Sequence, residues 1–334
     1  MDLNEVEENS SFILHPSSFD EGKRLDVFLS EKIEDWSRSR LQRLIDDGDV
    51  SVNDETAKSS YKLRETDVVE VELIETSPEK FEPKNIPLEF VYEDEYLAVI
   101  NKPAGMVVHP GAGNSSGTLA NAIAYKFKIR NSKFKIENSL NEQSKIQNLK
   151  SKIGIVHRLD KDTSGLIVVA KNEEIHEKLS GQFRNREVYK SYIALVHGVV
   201  RGNNGKIDAP IGREKFNRTK MTVVKNGRNA LSLWRVRQRF EKFTLLDVEI
   251  KTGRTHQIRV HLAFLNHPVV GDETYNEGRD NTIADVKIRQ AVHDVNRFFL
   301  HAEKLSFTHP KTKEKMDFYA PLPEELANLL ELIQ

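Results

Sequence analysis

The chain of 334 residues contains no cysteine. That excludes disulfides, thiolate-bound zinc and a cysteine nucleophile, and it fits a reducing, cytoplasmic setting. A long apolar run is missing as well. The opening residues, Met1 to Glu8, are acidic rather than basic and lead into no such run, so neither a signal peptide nor a membrane span is expected. Among 11 histidines there is no His-Glu-x-x-His or comparable spacing, and His256 and His261 do not share a helical face well. No catalytic metal is therefore expected. The glycine-rich stretch from Gly111 to Gly117 lacks the Gly-Lys-Ser/Thr ending of a phosphate loop. It reads as an ordinary loop, and no nucleotide or redox cofactor is expected.

An excess of positive charge is absent too, with 50 Lys and Arg against 51 Asp and Glu and a formal net charge of -1. The positive charge is nevertheless clustered. Residues 121–152 carry eight Lys and Arg, from Lys126 to Lys152, against only Glu137 and Glu142. A second cluster, Arg213, Lys215, Arg218, Lys220, Lys225 and Arg228 against Glu214, falls where two strands are expected around a Lys225-Asn226-Gly227 hairpin turn. Basic loops and hairpins of this kind can follow a phosphate backbone while acidic surface elsewhere cancels the total. A solvated lysine face is the plain alternative for any single residue in either cluster.

What the chain does contain is a polar loop clamped between two apolar runs. Gly154-Ile155-Val156-His157-Arg158-Leu159-Asp160-Lys161-Asp162-Thr163-Ser164-Gly165-Leu166 would set His, Arg and carboxylates at the edge of a buried sheet. Asp-Thr-Ser-Gly is also good turn material, so Asp162 is assigned to the turn. Further along, Lys251-Thr252-Gly253-Arg254-Thr255-His256-Gln257-Ile258-Arg259-Val260-His261-Leu262 reads as a strand end followed by a helix. Thr255 is its expected N-cap, and Ile258, Leu262 and Leu265 its core face. The run from Glu187 to Gly198 alternates as a strand, with a helix over Glu173 to Phe183 before it.

These three segments together resemble RNA pseudouridine synthases of the RluA/RluD type. The resemblance rests on His-Arg-Leu-Asp-x-x-Thr-Ser-Gly-Leu, on Gly-Arg-Thr-His-Gln-Ile-Arg-x-His and on Lys-x-Tyr-x-Ala-Leu-Val-x-Gly. It implies that Asp160 is the nucleophile of a uridine isomerase, that Arg259 is its ion-pair partner, and that Tyr192 stacks on the target base. It implies further that Arg158 enters the RNA at the site of the flipped uridine, a step required because a stacked nucleotide hides its reacting atoms. Whether the carboxylate adds to C1′ or C6, or abstracts the 2′ proton, stays open. Arg254 and His256 are expected to face the RNA, as is Lys220. His157 is left as a loop-orienting residue.

The N-terminal part resembles an S4 RNA-binding domain. Two helical faces, Leu25/Phe28/Leu29 and Leu41/Leu44/Ile45, precede Gly48-Asp49-Val50-Ser51-Val52-Asn53, and Ser37 is a fair N-cap for the second helix. Arg24, Arg38, Arg40 and Arg43 are its expected RNA contacts. The organisation expected is a tail over 1–21, an S4-like domain over 22–75, a linker over 76–87 and a catalytic domain over 88–330. Residues 127–151 form a mobile basic insertion in that scheme. The fold class is α+β, with a mixed, largely antiparallel catalytic sheet preceded by a small α/β domain. The resemblance implies structured RNA as partner, with 23S ribosomal RNA the expected substrate. Nothing in the sequence demands more than a monomer, and no protein partner is expected. A non-catalytic RNA-binding or ribosome-assembly factor on the same scaffold is the competing reading.

Overall fold

A computed structural model describes residues 11–33, 38–46, 48–72, 83–110, 114, 116–127, 154–214 and 220–334. The chain divides into two compact units, one of residues 1–73, 111–114 and 210–229 and one of the rest. The expected insertion at 127–151 lies outside the described residues apart from Phe127, as do most of the linker and Ser37.

The smaller unit holds β1 (Ser11–Leu14), α1 (Leu25–Lys32), α2 (Arg38–Asp46), β2 (Val50–Val52), β3 (Glu55–Thr56) and β4 (Val69–Glu72), with sheet order β1-β4-β2-β3. Its core contains the apolar set the sequence patterning picks out. Leu25, Phe28, Leu29, Leu41, Leu44 and Ile45 pack with Val50, Val52, Val69 and Val71. Each such side chain removed from water stabilises the unit by about 1.5–3 kcal/mol before entropy is counted. One expectation is corrected. Residues 11–21 are not all tail, because β1 pairs antiparallel with β4 and the following turn (Ser18–Asp20) is closed by a capping box between Ser17 and Asp20.

The larger unit is built on β5 (Glu89–Glu93), β6 (Leu97–Lys102), α3 (119–127), β7 (Gly154–Ile155), β8 (Ser164–Ala170), α4 (Glu173–Arg184), β9 (Tyr189–His197) and β10 (Asn204–Asp208). After the strands β11 (Ile211–Arg213) and β12 (Met221–Val223), which belong to the smaller unit, it continues with β13 (Leu231–Arg239), β14 (Phe243–Ile250), α5 (Gln257–Phe264), α6 (Val286–Val295), β15 (Leu300–Thr308), β16 (Lys315–Tyr319) and α7 (Glu324–Leu332). The sheet runs β10-β13-β14-β9-β15-β8-β6-β5, with β16 on β15 and β7 on β8, and every pair is antiparallel except β15 with β8.

Strand β8 is buried along its whole length, which explains its unbroken apolar run. Leu166, Val168 and Ala170 pack with Ile175 and Leu179 of α4. That helix starts where Asn172 accepts the Ile175 N–H, and Glu173 and Glu174 favour its positive end. At the other end of β8, Gly165 sits at φ +114 against β15, and a Cβ there would lie 2.3 Å from the Ala302 carbonyl oxygen. Gly165→Ala is expected to destabilise the protein by about 2–3 kcal/mol, read as a lower urea midpoint. An unchanged midpoint would show that the two strands can separate at no cost.

Candidate active site

The register of the sheet assembles the first half of the site. Lys102 pairs with Gly165, Gly165 with Ala302, Ala302 with Tyr192, and Tyr192 with Val248. Residues paired across a sheet present their side chains to the same side, so Lys102 and Tyr192 share one face with only Gly and Ala between them. Tyr192 is buried at 6% exposure. Burial first and the Asp160 charge second push its phenol above the ordinary tyrosine value. Tyr192 is therefore a neutral hydroxyl at pH 7, held within the field of Asp160.

The loop between β7 and β8 carries Asp160 at the mouth of this row. Lys102, fully buried, donates to the carbonyl oxygens of Pro103, Met106 and Lys161 at 2.8, 2.9 and 2.9 Å. Three acceptors take all three protons of the ammonium, so the geometry is that of the charged form. Burial nonetheless lowers its pKa to about 7, against the pull of Asp160 and Asp162. The sequence reading passed over Lys102. Its only signal was a lysine ending an apolar strand just before Pro103. Lys102→Met is expected to cost about 2 kcal/mol by leaving buried carbonyls unpaired, with a loss of turnover beyond what the stability change explains. Urea unfolding and single-turnover rates check both parts, and wild-type values in both would refute the role.

Arg259 supplies the opposite wall. Its Nε and Nη2 donate to Asp272 at 2.7 and 2.8 Å, a buried bidentate pair, and its Nη1 stands 3.5 Å from Asp160 Oδ2. The guanidinium also lies over the rings of Phe298 and Tyr275, at 4.2 and 5.0 Å. An arginine fixed on two sides by a carboxylate and two rings has one edge left, and that edge faces Asp160. Burial pushes the Asp160 carboxyl up, but His256, Arg259 and Arg158 pull it down, and the balance falls below the ordinary carboxylate value. His256 is itself pushed down to about 4 by burial, so it is neutral at pH 7 and the standing positive charge comes from the two arginines. The site thus holds one ionised, 19% exposed carboxylate between cations, next to a buried phenol.

Thr255 does not cap α5. The N-cap is His256, in the left-handed region at φ 53 and ψ 20, and no side chain caps the helix there. Instead Gln257 reaches back to the Arg254 N–H and to Thr252 Oγ1, and the strained backbone turns the His256 imidazole onto the Tyr275 hydroxyl at 2.8 Å. The same segment contains residues with purely structural work. His261 bonds Ser232 Oγ and the Ala209 carbonyl oxygen, and Gln257 donates to Leu231 and Ser232. In the Asp160 loop, His157 accepts the Val168 N–H at 3.0 Å and stacks on Phe183, which requires a neutral ring. Its pKa is pushed down to about 3 by burial. Among the described residues no cluster of His, Asp or Glu is arranged to hold a metal ion.

Comparison with known proteins bears on this constellation directly. Residues 96–264 match the family model described as RNA pseudouridylate synthase, and residues 23–69 match the S4 domain. The chain belongs to the RNA pseudouridine synthases. It is 41% identical over 309 residues to an uncharacterized RNA pseudouridine synthase, YlyB, of Bacillus subtilis, covering 92% of this chain and 93% of that one. It is 38% identical over 315 residues to ribosomal large subunit pseudouridine synthase D of Pasteurella multocida, covering 94% and 92%. Among solved structures it resembles human RNA pseudouridylate synthase domain containing 4, with a TM-score of 0.54 and 25% identity over 73% of this chain and 92% of that one. The protein is thus an isomerase acting on RNA, with an S4 domain at its N-terminal side, and the α+β, largely antiparallel architecture is that of the family.

In the S4 domain of this synthase two expected RNA contacts prove to be organised from within. Asp26, fully buried, takes a bidentate contact from Arg24 at 2.9 and 3.1 Å, two from Arg38 at 3.0 and 2.9 Å and one from Gln42 at 2.6 Å. The hydrogen bond from Arg24 above all, and those of Gln42 and Arg38, hold its carboxyl far below the ordinary value. Arg24 and Arg38 keep 38% and 50% of their side chains exposed, so their outer edges stay accessible. The side chains of Arg40 and Arg43 lie outside the described residues.

The second basic cluster differs from expectation. The hairpin pairs β11 with β12, whereas Asn226 and Gly227 only turn the chain back to let Arg228 bridge Ile211. A Cβ on Gly227 would lie 2.5 Å from the Ile211 carbonyl carbon, so this close approach requires glycine. Arg213 pairs with Glu70, and Arg228 stands 3.7 Å from Asp49. Those two arginines are therefore engaged within the unit, while Lys220 is half-buried beside them.

Proposed function

We propose that Asp160 is the nucleophile, that Arg259 keeps it ionised and aimed, and that Tyr192 stacks on the uracil of a flipped-out uridine in ribosomal RNA of the large subunit. The observation that carries this reading is the clamped guanidinium. Asp272 uses two of its nitrogens, Phe298 and Tyr275 cover its faces, and the remaining Nη1 is directed at Asp160. A pure RNA binder gains nothing from an ionised carboxylate in a groove meant for phosphates. The isomerase needs it, because cleavage of the bond between N1 and C1′ calls for a charged group within reach of the sugar or base. Half-buried Arg158, two residues before Asp160, faces the same charge and is suited to fill the space the uridine leaves. Arg254 and His256 are assigned to RNA contact around it, and Lys220, in the smaller unit, is assigned to RNA contact as well. The ribosomal substrate is supported by relatives named for the large subunit, including the Nitrosomonas europaea protein at 41% identity over 94% of this chain. The synthase is proposed to act as a monomer in the cytoplasm.

Tritium release from ribosomal RNA carrying [5-³H]uridine tests the assignment, with Asp160→Asn as control. Because cations hold the Asp160 carboxyl below its ordinary value of 3.8, the single-turnover rate is expected to stay level as pH falls from about 6 to about 5, below the Lys102 value of about 7. An acid limb inside that window would mean that burial, not the arginines, sets its charge.

A further inference from the structure

The loop that carries Asp160 is gripped from a second direction, by Arg297 in the connection between α6 and β15. Its side chain is 4% exposed. Nη1 donates to the Asp162 carbonyl oxygen at 2.9 Å, and Nη2 to Glu325 of α7 at 2.9 Å. The peptide carbonyls of the two residues after Asp160, Lys161 and Asp162, are thus each held by a different buried cation, Lys102 and Arg297. A tight turn closes the loop between them, with the Thr163 N–H on the Asp160 carbonyl at 3.1 Å.

The residue after Arg297 touches the other half of the site. The Phe298 ring lies 4.2 Å from the guanidinium carbon of Arg259. The backbone of Arg297 also packs on Gly271, where a Cβ would meet its carbonyl oxygen at 2.4 Å, and Gly271 immediately precedes the Asp272 that clamps Arg259. Two consecutive residues therefore hold the loop of one charge and the seat of the other.

We infer that Arg297 is a positioning residue for the synthase. With Phe298 it fixes the 3.5 Å gap between Asp160 and Arg259, and Glu325 makes the C-terminal helix a strut for that gap. A carboxylate that must meet a sugar or base atom loses its advantage when its loop drifts, and a misplacement of about 1 Å costs roughly a hundredfold in rate. Arg259 would stay seated by Asp272, so the defect would lie in alignment and not in charge. Through Asp160 this inference rests on the proposed function, and its test therefore includes a readout that needs no activity.

The experiment compares full-length Arg297→Met, Arg297→Lys and Glu325→Ala with wild type by amide hydrogen exchange, RNA binding and single-turnover tritium release at saturating RNA. For Arg297→Met, exchange at Thr163 is expected to quicken by about tenfold or more while amides of β9 and β14 keep their protection. Its turnover is expected to fall by about tenfold to a hundredfold with RNA affinity within about twofold of wild type. Arg297→Lys, which can hold the carbonyl but not the carboxylate at the same time, is expected to recover part of the loss. Glu325→Ala, at a half-exposed position, should shift both readouts in the same direction by about threefold. If Arg297→Met does not fold, the other two variants decide the matter. Wild-type exchange at Thr163 and wild-type turnover per folded molecule, with only a lower urea midpoint, would overturn the inference. A wild-type protein that releases no tritium would sink the ribosomal RNA substrate of the proposed function, and exchange at Thr163 would still show whether Arg297 holds the loop.

Discussion

Asp160→Asn is expected to abolish isomerisation while leaving the fold and RNA binding in place. The substitution keeps the shape of the side chain and removes its charge, so the loop retains the grip of Lys102 and Arg297 on its backbone. What disappears is the proposed nucleophile. Losing one typically lowers turnover by about 10⁴-fold or more, with binding energy left to hold the substrate. Tritium release should fall to background, and RNA affinity should stay level or rise slightly, because a negative charge facing the phosphate-rich ligand is gone. Residual activity within tenfold (about 1.4 kcal/mol) of wild type would remove Asp160 from the chemistry.

Asp272→Asn is expected to be the most destabilising change in the site. Arg259 is buried and makes two short charged hydrogen bonds to Asp272, at 2.7 and 2.8 Å, against one longer contact of 3.5 Å to Asp160. Removing one member of a buried ion pair leaves the other charge uncompensated, which costs about 3–5 kcal/mol. Arg259 would then turn toward Asp160, the carboxylate that still faces it. That would pair the proposed nucleophile more tightly than attack permits, so turnover at saturating RNA should fall together with stability. Urea unfolding with single-turnover kinetics separates the two losses. A midpoint within about 0.5 kcal/mol of wild type, the ordinary range of surface substitutions, would show that Asp272 is not the anchor of Arg259. The double variant with Arg259→Met should regain much of the stability and none of the activity, since it removes the stranded charge.

The candidate nucleophile and its partner were legible because each sits in a long run of specific residues. Lys102, Asp272 and Arg297 were not. Their side chains act through backbone carbonyls or through another side chain, and the residue types alone, a lysine before a proline, an aspartate after a glycine, an arginine before two phenylalanines, carry no such pattern. The N-cap of α5 failed for a related reason. Threonine is a good cap by propensity, but Gln257 satisfies the backbone there and frees the chain to adopt the left-handed turn at His256. Local propensity lost to a tertiary hydrogen-bond network. The basic hairpin reads the same way, since two of its arginines answer carboxylates of the smaller unit, Glu70 and Asp49, whose positions no spacing rule could supply.

By itself, then, the sequence determined the class of fold, the strands and helices with clear periodicity, the family and the identity of the charged residues in its motifs. Periodicity and motif spacing are local properties, and local properties survive in one dimension. Only the tertiary structure decided which charges are working charges. It set Arg259 against Asp272 as well as Asp160, left His256 and His157 neutral by burial, and placed Lys102 and Tyr192 in one row of the sheet. A charge takes its character from what surrounds it in space, and residues as far apart in the chain as Asp160 and Arg259 meet only when the fold is complete.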